Sequence, residues 1–124
     1  LNIATPNSYG PNQSFVERYQ NNINYCSSPM DACENADLVV TDVWTSMGKE
    51  SEQKQRESVF KDYQVDQRMM SVANSDAVFM HCLPAHRSEE VSTEVIDGKQ
   101  SVVWDEAENR LHAQKALLLY LIKA

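Results

Sequence analysis

The sequence predicts an α/β fold, a doubly wound parallel sheet of the Rossmann-like type. Short apolar runs alternate with helical segments along the chain, an arrangement typical of βαβ units. The chain has 124 residues, the length of a single domain that can bury a core. Its 42% hydrophobic and 23% charged residues are ordinary for a folded protein. Residues 1–124 are therefore predicted to form one domain.

Three strands and two helices are predicted in the first part of the chain. The predicted strands are Leu1–Ala4, Ile23–Cys26 and Ala36–Thr41. Asn12 or Ser14 caps a helix that runs to about Gln20, and Ser28 caps a second helix with Pro29 at its first position. The residues predicted to face inward from these helices are Phe15, Val16, Tyr19, Met30 and Cys33.

The remainder of the chain is predicted to add two strands and four helices. The strands are Asp76–Met80 and Ser101–Trp104, and the helices are Ser51–Tyr63, Val65–Ala73, a short one from Ser92 or Thr93 to Asp97, and Glu106–Ile122. Pro84 ends the fourth strand because proline cannot donate to a ladder. The inward residues predicted here are Val59, Phe60, Met69, Met70, Val72, Leu111, Leu118 and Ile122.

Charge and cysteine content narrow the classes of function. A formal net charge of −7 argues against binding to nucleic acid or to an anionic membrane surface. No run approaches the roughly 18 apolar residues that a membrane-spanning helix needs. Three cysteines are an odd number in a chain with no secretory marks, so reduced thiols in an intracellular compartment are expected.

Polar side chains follow the third and fourth predicted strands. Asp42 comes directly after Thr41, and His81 and Cys82 come directly after Met80. Because parallel strands end at the same edge of a sheet, these residues are expected to face one cleft. A carboxylate there can hold an ammonium group, and a thiol there can exchange a proton with an amine. The residues alone therefore predict a small-molecule site.

Each of these residues also has a purely structural interpretation. Asp42 taken alone is typical of a turn, and Cys82 taken alone is typical of an inert small side chain. Arg110 can pair with Glu106 one helical turn earlier. The potential metal ligands His81, Cys82 and His86 crowd a proline-containing turn and match no standard zinc spacing, so no metal is predicted.

Three segments together resemble one family. They are Asp42–Gly48 (DVWTSMG), His81–Pro84 (HCLP) and Val103–Arg110 (VWDEAENR). In these segments, and over nearly the whole chain, the sequence resembles the ornithine-binding C-terminal domain of the ornithine carbamoyltransferases. The resemblance implies transfer of a carbamoyl group from carbamoyl phosphate to the δ-amino group of ornithine, giving citrulline and phosphate. It implies no cofactor or metal, a homotrimer, and a cytoplasmic location or, in a eukaryote, the mitochondrial matrix.

The resemblance also implies roles for individual residues. Asp42 would hold the ornithine α-ammonium, while Ser46 and Met47 position its amino-acid end. Cys82 would lie beside the reacting δ-amine, and the Leu83 backbone would help to place the carbamoyl group. Arg110 would polarise the carbamoyl carbonyl, which makes Cys82 and Arg110 the expected catalytic residues. His81 is the remaining residue expected at the substrate site.

Two parts of the family pattern are missing from these 124 residues. One is the Ser-Thr-Arg-Thr phosphate-binding loop of a separate N-terminal domain. The other is a strand and helix that come before the first strand, whose loss is expected to leave a gap in the core. The chain is thus predicted to be an incomplete second domain of the aspartate/ornithine carbamoyltransferase fold, inactive by itself. If it were the whole product, the alternative is a non-catalytic amino-acid-binding module or an inactive remnant.

Overall fold

The computed structural model describes residues 1–45 and 52–123. Its strands are β1 (Asn2–Ile3), β2 (Asn24–Tyr25), β3 (Leu38–Thr41) and β4 (Val78–His81). Its α-helices are α1 (Gln13–Tyr19), α2 (Pro29–Cys33), α3 (Gln53–Phe60), α4 (Gln67–Val72), α5 (Thr93–Ile96) and α6 (Val103–Lys123). Two short 3-10 helices cover Asn7–Tyr9 and Lys61–Tyr63. This alternation of strands and helices confirms the α/β class.

All of the strand pairing between these elements is parallel. β1 pairs with β2, and β3 pairs with β4 in a register that places Leu38 opposite Val78 and Thr41 opposite His81. Within the described ranges the strands form two separate pairs, which matches the prediction of an incomplete parallel sheet.

A cavity of about 830 Å³ lies between the two strand pairs. β1 and its flanking residues line it from Leu1 to Thr5, and β3 and its flanking residues line it from Asn35 to Trp44. Leu38 and Val40 of β3 are exposed, although a buried parallel strand is normally apolar on both faces and covered on both. Because β1 and β3 both line this cavity along their length, we attribute it to the predicted gap in the core.

Three helices begin at side-chain caps that the sequence predicts. Asn12 Oδ1 accepts a hydrogen bond from the Ser14 backbone N–H at 2.9 Å, so Asn12 is the cap of α1. Ser28 accepts from the Asp31 N–H at 3.1 Å, and Pro29 occupies the first helical position of α2. Ser92 caps α5. These caps confirm the predicted helix starts, since each side chain satisfies a backbone donor that the first helical turn leaves unpaired.

The core is built around β4. Phe79 of β4, Val91 and Val103 are completely buried, and Met69, Met70 and Cys33 pack around them. The predicted inward positions of α2 and α4 are therefore confirmed, with Met30 and Val72 partly buried against the same cluster. This cluster holds the end of β4, and the residues that follow it, in a fixed position.

The predicted fifth strand, Ser101–Trp104, is wrong. Only a single bridge forms there, in which the Phe79 N–H donates to Gln100 and the Val102 N–H donates to Phe79, at 2.8 and 3.0 Å. α6 already begins at Val103, because the acidic residues Asp105 and Glu106 suit the first turn of a helix.

Several predicted inward residues are exposed instead. Phe15 and Tyr19 of α1 stack on each other at 6.2 Å between ring centroids, and both face solvent. Val59 of α3 is exposed because the helix turns its neighbour Phe60 toward an aromatic cluster. Leu111, Leu118 and Ile122 of α6 are exposed, since α6 beyond its first turn has no described element to cover it. No helix among the described residues is apolar enough over a sufficient length to cross a membrane.

Candidate functional site

The register of β3 and β4 brings Asp42 and Cys82 together. Thr41 and His81 are the last paired residues, so Asp42 and Cys82 leave the carboxyl ends of two neighbouring strands side by side. The Cys82 thiol donates a hydrogen bond to Asp42 Oδ1 at 3.3 Å. The same oxygen accepts from the Val43 backbone N–H at 2.7 Å. The predicted meeting of these two side chains at one edge of the sheet is therefore present in the structure.

The surroundings of Cys82 favour its neutral form. Partial desolvation raises the pKa of the thiol, and the hydrogen bond to Asp42 together with the charges of Asp42 and Glu106 raises it further. A thiol with a raised pKa carries little thiolate at neutral pH, and the thiolate is the nucleophilic form. This geometry disfavours covalent catalysis by Cys82 and suits a neutral thiol beside an amine.

His81 lies behind the site instead of on its surface. Its side chain is completely buried. Its Nδ1 accepts from the Leu83 backbone N–H at 2.9 Å, so the proton is on Nε2, which donates to Glu90 Oε1 at 3.2 Å. With both ring nitrogens engaged inside the chain, this side chain has no free atom to offer a ligand, and it fixes the residues around it.

The bond from Leu83 to the His81 ring supports an unusual backbone conformation. Leu83 has φ of 54°, in the left-handed region that costs a non-glycine residue roughly 1–2 kcal/mol. His81 in turn depends on Glu90, a buried carboxylate that also accepts from the His86 N–H at 2.6 Å. Glu90 was not predicted, because an acidic residue in a polar turn carries no sequence signal for burial.

Helix α6 is joined to the site through Glu106. Its Oε2 accepts a hydrogen bond from the His81 backbone N–H at 3.1 Å. Arg110 is one turn further along the same face of α6, about 6 Å along the axis, and its side chain is exposed. Among the residues that the structure describes, Arg110 forms no pair with Glu106, which is its structural alternative. Glu106 instead holds the end of β4.

The chain after Asp42 is anchored by aromatic residues and one arginine. Trp44 is buried and stacks on Phe60 at 6.1 Å between ring centroids, and Phe60 also contacts Tyr9. Arg56 donates to the Trp44 carbonyl at 3.0 Å and lies over the Tyr9 ring. The predicted site residues Ser46 and Met47, together with Gly48, lie outside the described residues.

Asp42, His81 and Cys82 also place potential metal ligands within 4.8 Å of one another. A metal there would have to displace the Leu83 N–H or Glu90 from the His81 ring, so this group is a poor metal site. A carboxylate beside a neutral thiol is better suited to an organic ammonium or amine, because the carboxylate supplies the countercharge and the thiol a weak polar contact.

Comparison with known proteins gives a consistent result. The family model described as "Aspartate/ornithine carbamoyltransferase, Asp/Orn binding domain" matches residues 1–121. The ornithine carbamoyltransferases of Hydrogenovibrio crunogenus and Ruthia magnifica are 65% and 63% identical over 122 residues, which is 98% of this chain.

The solved structures agree with the sequence comparison. The structure of ornithine carbamoyltransferase from Burkholderia thailandensis has a TM-score of 0.84 at 50% identity. The match covers 97% of this chain and 38% of the Burkholderia chain. The anabolic ornithine carbamoyltransferase from Campylobacter jejuni has a TM-score of 0.90 at 37% identity. The match covers 99% of this chain and 43% of the Campylobacter chain. The chain spans about 40% of the length of the curated relatives that it matches.

Proposed function

The chain belongs to the aspartate/ornithine carbamoyltransferase family, and from that premise we propose that it is the ornithine-binding part of an ornithine carbamoyltransferase. The whole protein transfers the carbamoyl group of carbamoyl phosphate to the δ-amine of ornithine, releasing citrulline and phosphate. One observation carries the proposal: the Asp42 carboxylate and the Cys82 thiol lie 3.3 Å apart at the carboxyl ends of paired strands.

Asp42 binds the α-ammonium group of ornithine. Support comes from its exposure and from the arrangement of its hydrogen bonds, which within the described residues both go to Oδ1. Oδ2 is left to accept from an ammonium group, and a charge-assisted hydrogen bond of this kind is stronger than a neutral one. Ser46 and Met47 hold the amino-acid end of the same substrate.

Cys82 lies beside the δ-amine as a neutral thiol. The lone pair of the amine attacks the carbamoyl carbon, the bond from that carbon to the phosphate oxygen breaks, and the nitrogen loses a proton. No covalent bond to the protein is needed, which agrees with a thiol whose pKa is raised. Cys82 and Arg110 are the catalytic residues of this proposal.

Arg110 and the Leu83 backbone act on the carbamoyl group. The guanidinium stabilises the negative charge that develops on the carbonyl oxygen, the form of catalysis that preorganised donors provide. Glu106 supports this role because it ties the first turn of α6 to the end of β4. His81 is a positioning residue, since its ring holds the Leu83 N–H.

The rest of the reaction belongs to the part of the protein that this chain does not cover. Carbamoyl phosphate is held mainly there, and the complete enzyme is a homotrimer in the cytoplasm, or in the mitochondrial matrix if the source is a eukaryote. The three free thiols, Cys26, Cys33 and Cys82, fit a reducing compartment of this kind.

Ornithine binding tests the role of Asp42. A chimera would join this chain to the remaining part of the Hydrogenovibrio crunogenus enzyme, and calorimetry would measure both substrates. Asp42→Asn is expected to weaken ornithine binding at least about tenfold, a loss of about 1.4 kcal/mol, and to leave carbamoyl phosphate binding unchanged. Asp76→Asn is the matched control, because Asp76 is exposed and lies before β4, away from the strand ends that carry the site. Equal losses for both substrates would remove Asp42 from this role.

A further inference from the structure

The turn that follows the site brings three potential metal ligands together. His86 Nδ1 lies 3.7 Å from Glu89 Oε2 and 4.0 Å from Glu90 Oε2, and all three atoms lie within 4.8 Å of one another. Backbone hydrogen bonds fix the turn, from the Glu89 N–H to His86 at 3.0 Å and from the Ser88 N–H to Val91 at 2.9 Å. The three side chains are therefore held near one point by the backbone.

The second observation is the state of the Glu90 carboxylate. Its Oε1 is saturated, because it accepts from the His86 N–H and from the His81 ring. Its Oε2 is buried and has no hydrogen-bond partner within the described ranges. A buried carboxylate oxygen without a partner is unfavourable, and a cation placed against it removes that cost.

The separations between His86 and the two carboxylates are longer than those of a direct hydrogen bond. A protonated His86 in a charge-assisted hydrogen bond would lie about 2.7–2.9 Å from a carboxylate oxygen, and both separations here are much longer. Zinc binds nitrogen and oxygen ligands at about 2.0–2.2 Å, so two ligands in a tetrahedral site lie about 3.4 Å apart. Both separations are therefore longer than a direct hydrogen bond, and a small inward shift of the side chains would give the spacing of two zinc ligands.

We propose that His86, Glu89 and Glu90 bind a divalent transition-metal ion of the zinc class. Imidazole nitrogen and carboxylate oxygen are both ligands that such ions bind. The His86 side chain is half exposed, so the ion can enter from solvent and keep a water molecule as a further ligand. The site does not include Asp42 or Cys82, and it shares with the proposed function only Glu90, whose Oε1 holds the His81 ring.

Titration of the 124-residue chain with Zn²⁺ tests the proposal. The experiment uses a Cys26→Ser, Cys82→Ser background, so that the two thiols that are not fully buried do not compete for the ion. We expect one bound ion in calorimetry, and for Co²⁺ a visible spectrum without thiolate charge-transfer bands. His86→Ala and Glu89→Gln should each weaken binding by at least about tenfold.

The chain contains a matched control for these variants. His112 and Glu108 of α6 also form an exposed His–Glu pair, with 3.4 Å between Nε2 and Oε1, and no third ligand is grouped with them among the described residues. His112→Ala should leave the affinity unchanged. Absence of binding in the background variant, or equal binding by the His86→Ala protein, would overturn the proposal. His86→Ala retains the backbone N–H that Glu90 uses, and Glu89→Gln retains the side-chain size, so either variant that folds decides the question.

Discussion

At the scale of single residues, Asp42 influences the chemistry of the Cys82 thiol that lies beside it. Desolvation, followed by the hydrogen bond and the charge of Asp42, raises the pKa of the thiol. The thiolate should therefore appear only at a higher pH than for an ordinary cysteine.

Alkylation of Cys82 measures this effect. The rate of reaction with iodoacetamide is followed by mass spectrometry of the Cys82 peptide from pH 7 to pH 10. It should stay low at neutral pH and rise at a higher pH than for an ordinary cysteine. Asp42→Asn removes one negative charge, so it should lower the pKa of Cys82 and increase the rate several-fold at pH 8. The same rate in the Asp42→Asn and Asp76→Asn proteins would show that Asp42 does not control the thiol.

Functional residues could be predicted from the sequence where they directly follow the end of a strand. Asp42 and Cys82 were identifiable because each follows an apolar run that ends abruptly, and parallel strands end together. Glu90, Glu106 and Arg56 were not, because their importance comes from partners 9, 25 and 12 residues away in the chain. An exposed-looking polar residue gives no sign of such a partner.

At the scale of the elements, α5 and α6 have opposite environments. Ile96 of α5 is 2% exposed and belongs to the core around β4, whereas Ile122 of α6 is 80% exposed. The sequence predicted Ile122 to be inward, since apolar residues on a helix usually mark a buried face. α6 carries apolar residues on all sides near its end, so its pattern could not reveal that no described element covers it.

Two isoleucine variants compare these environments directly. Ile96→Ala should lower the free energy of unfolding by about 2–5 kcal/mol, because it leaves a cavity in the core. Ile122→Ala should change it by less than about 0.5 kcal/mol, as expected for a surface substitution. Urea unfolding followed by circular dichroism gives both values, and a large loss for Ile122→Ala would mean that α6 is covered in solution.

The sequence predicts β3 and β4 correctly, but not the segment Ser101–Trp104 near the end of the chain. β3 and β4 were recognisable as apolar runs that end in turn or breaker residues. The Ser101–Trp104 segment is also a short apolar run. However, it bridges β4 at one residue only, and α6 begins within it. The acidic residues Asp105 and Glu106 favour the first turn of a helix at this point, which the short apolar run considered alone does not indicate.

At the scale of the whole molecule, the two strand pairs and the cavity between them follow from the incomplete domain. The chain spans about 40% of its relatives' length, and the cavity of about 830 Å³ is lined by β1 and β3 along their full extent. The gap was expected from the resemblance to the family, whereas its position between β1 and β3 required the structure.

The central claim is that this chain is the ornithine-binding part of a carbamoyltransferase that needs a second part. The most direct test is citrulline formation from labelled ornithine and carbamoyl phosphate, by the chain alone and by the chimera with the rest of the Hydrogenovibrio crunogenus enzyme. We expect turnover by the chimera and no citrulline from the chain alone. A folded chimera without activity, or turnover by the chain alone, would contradict it.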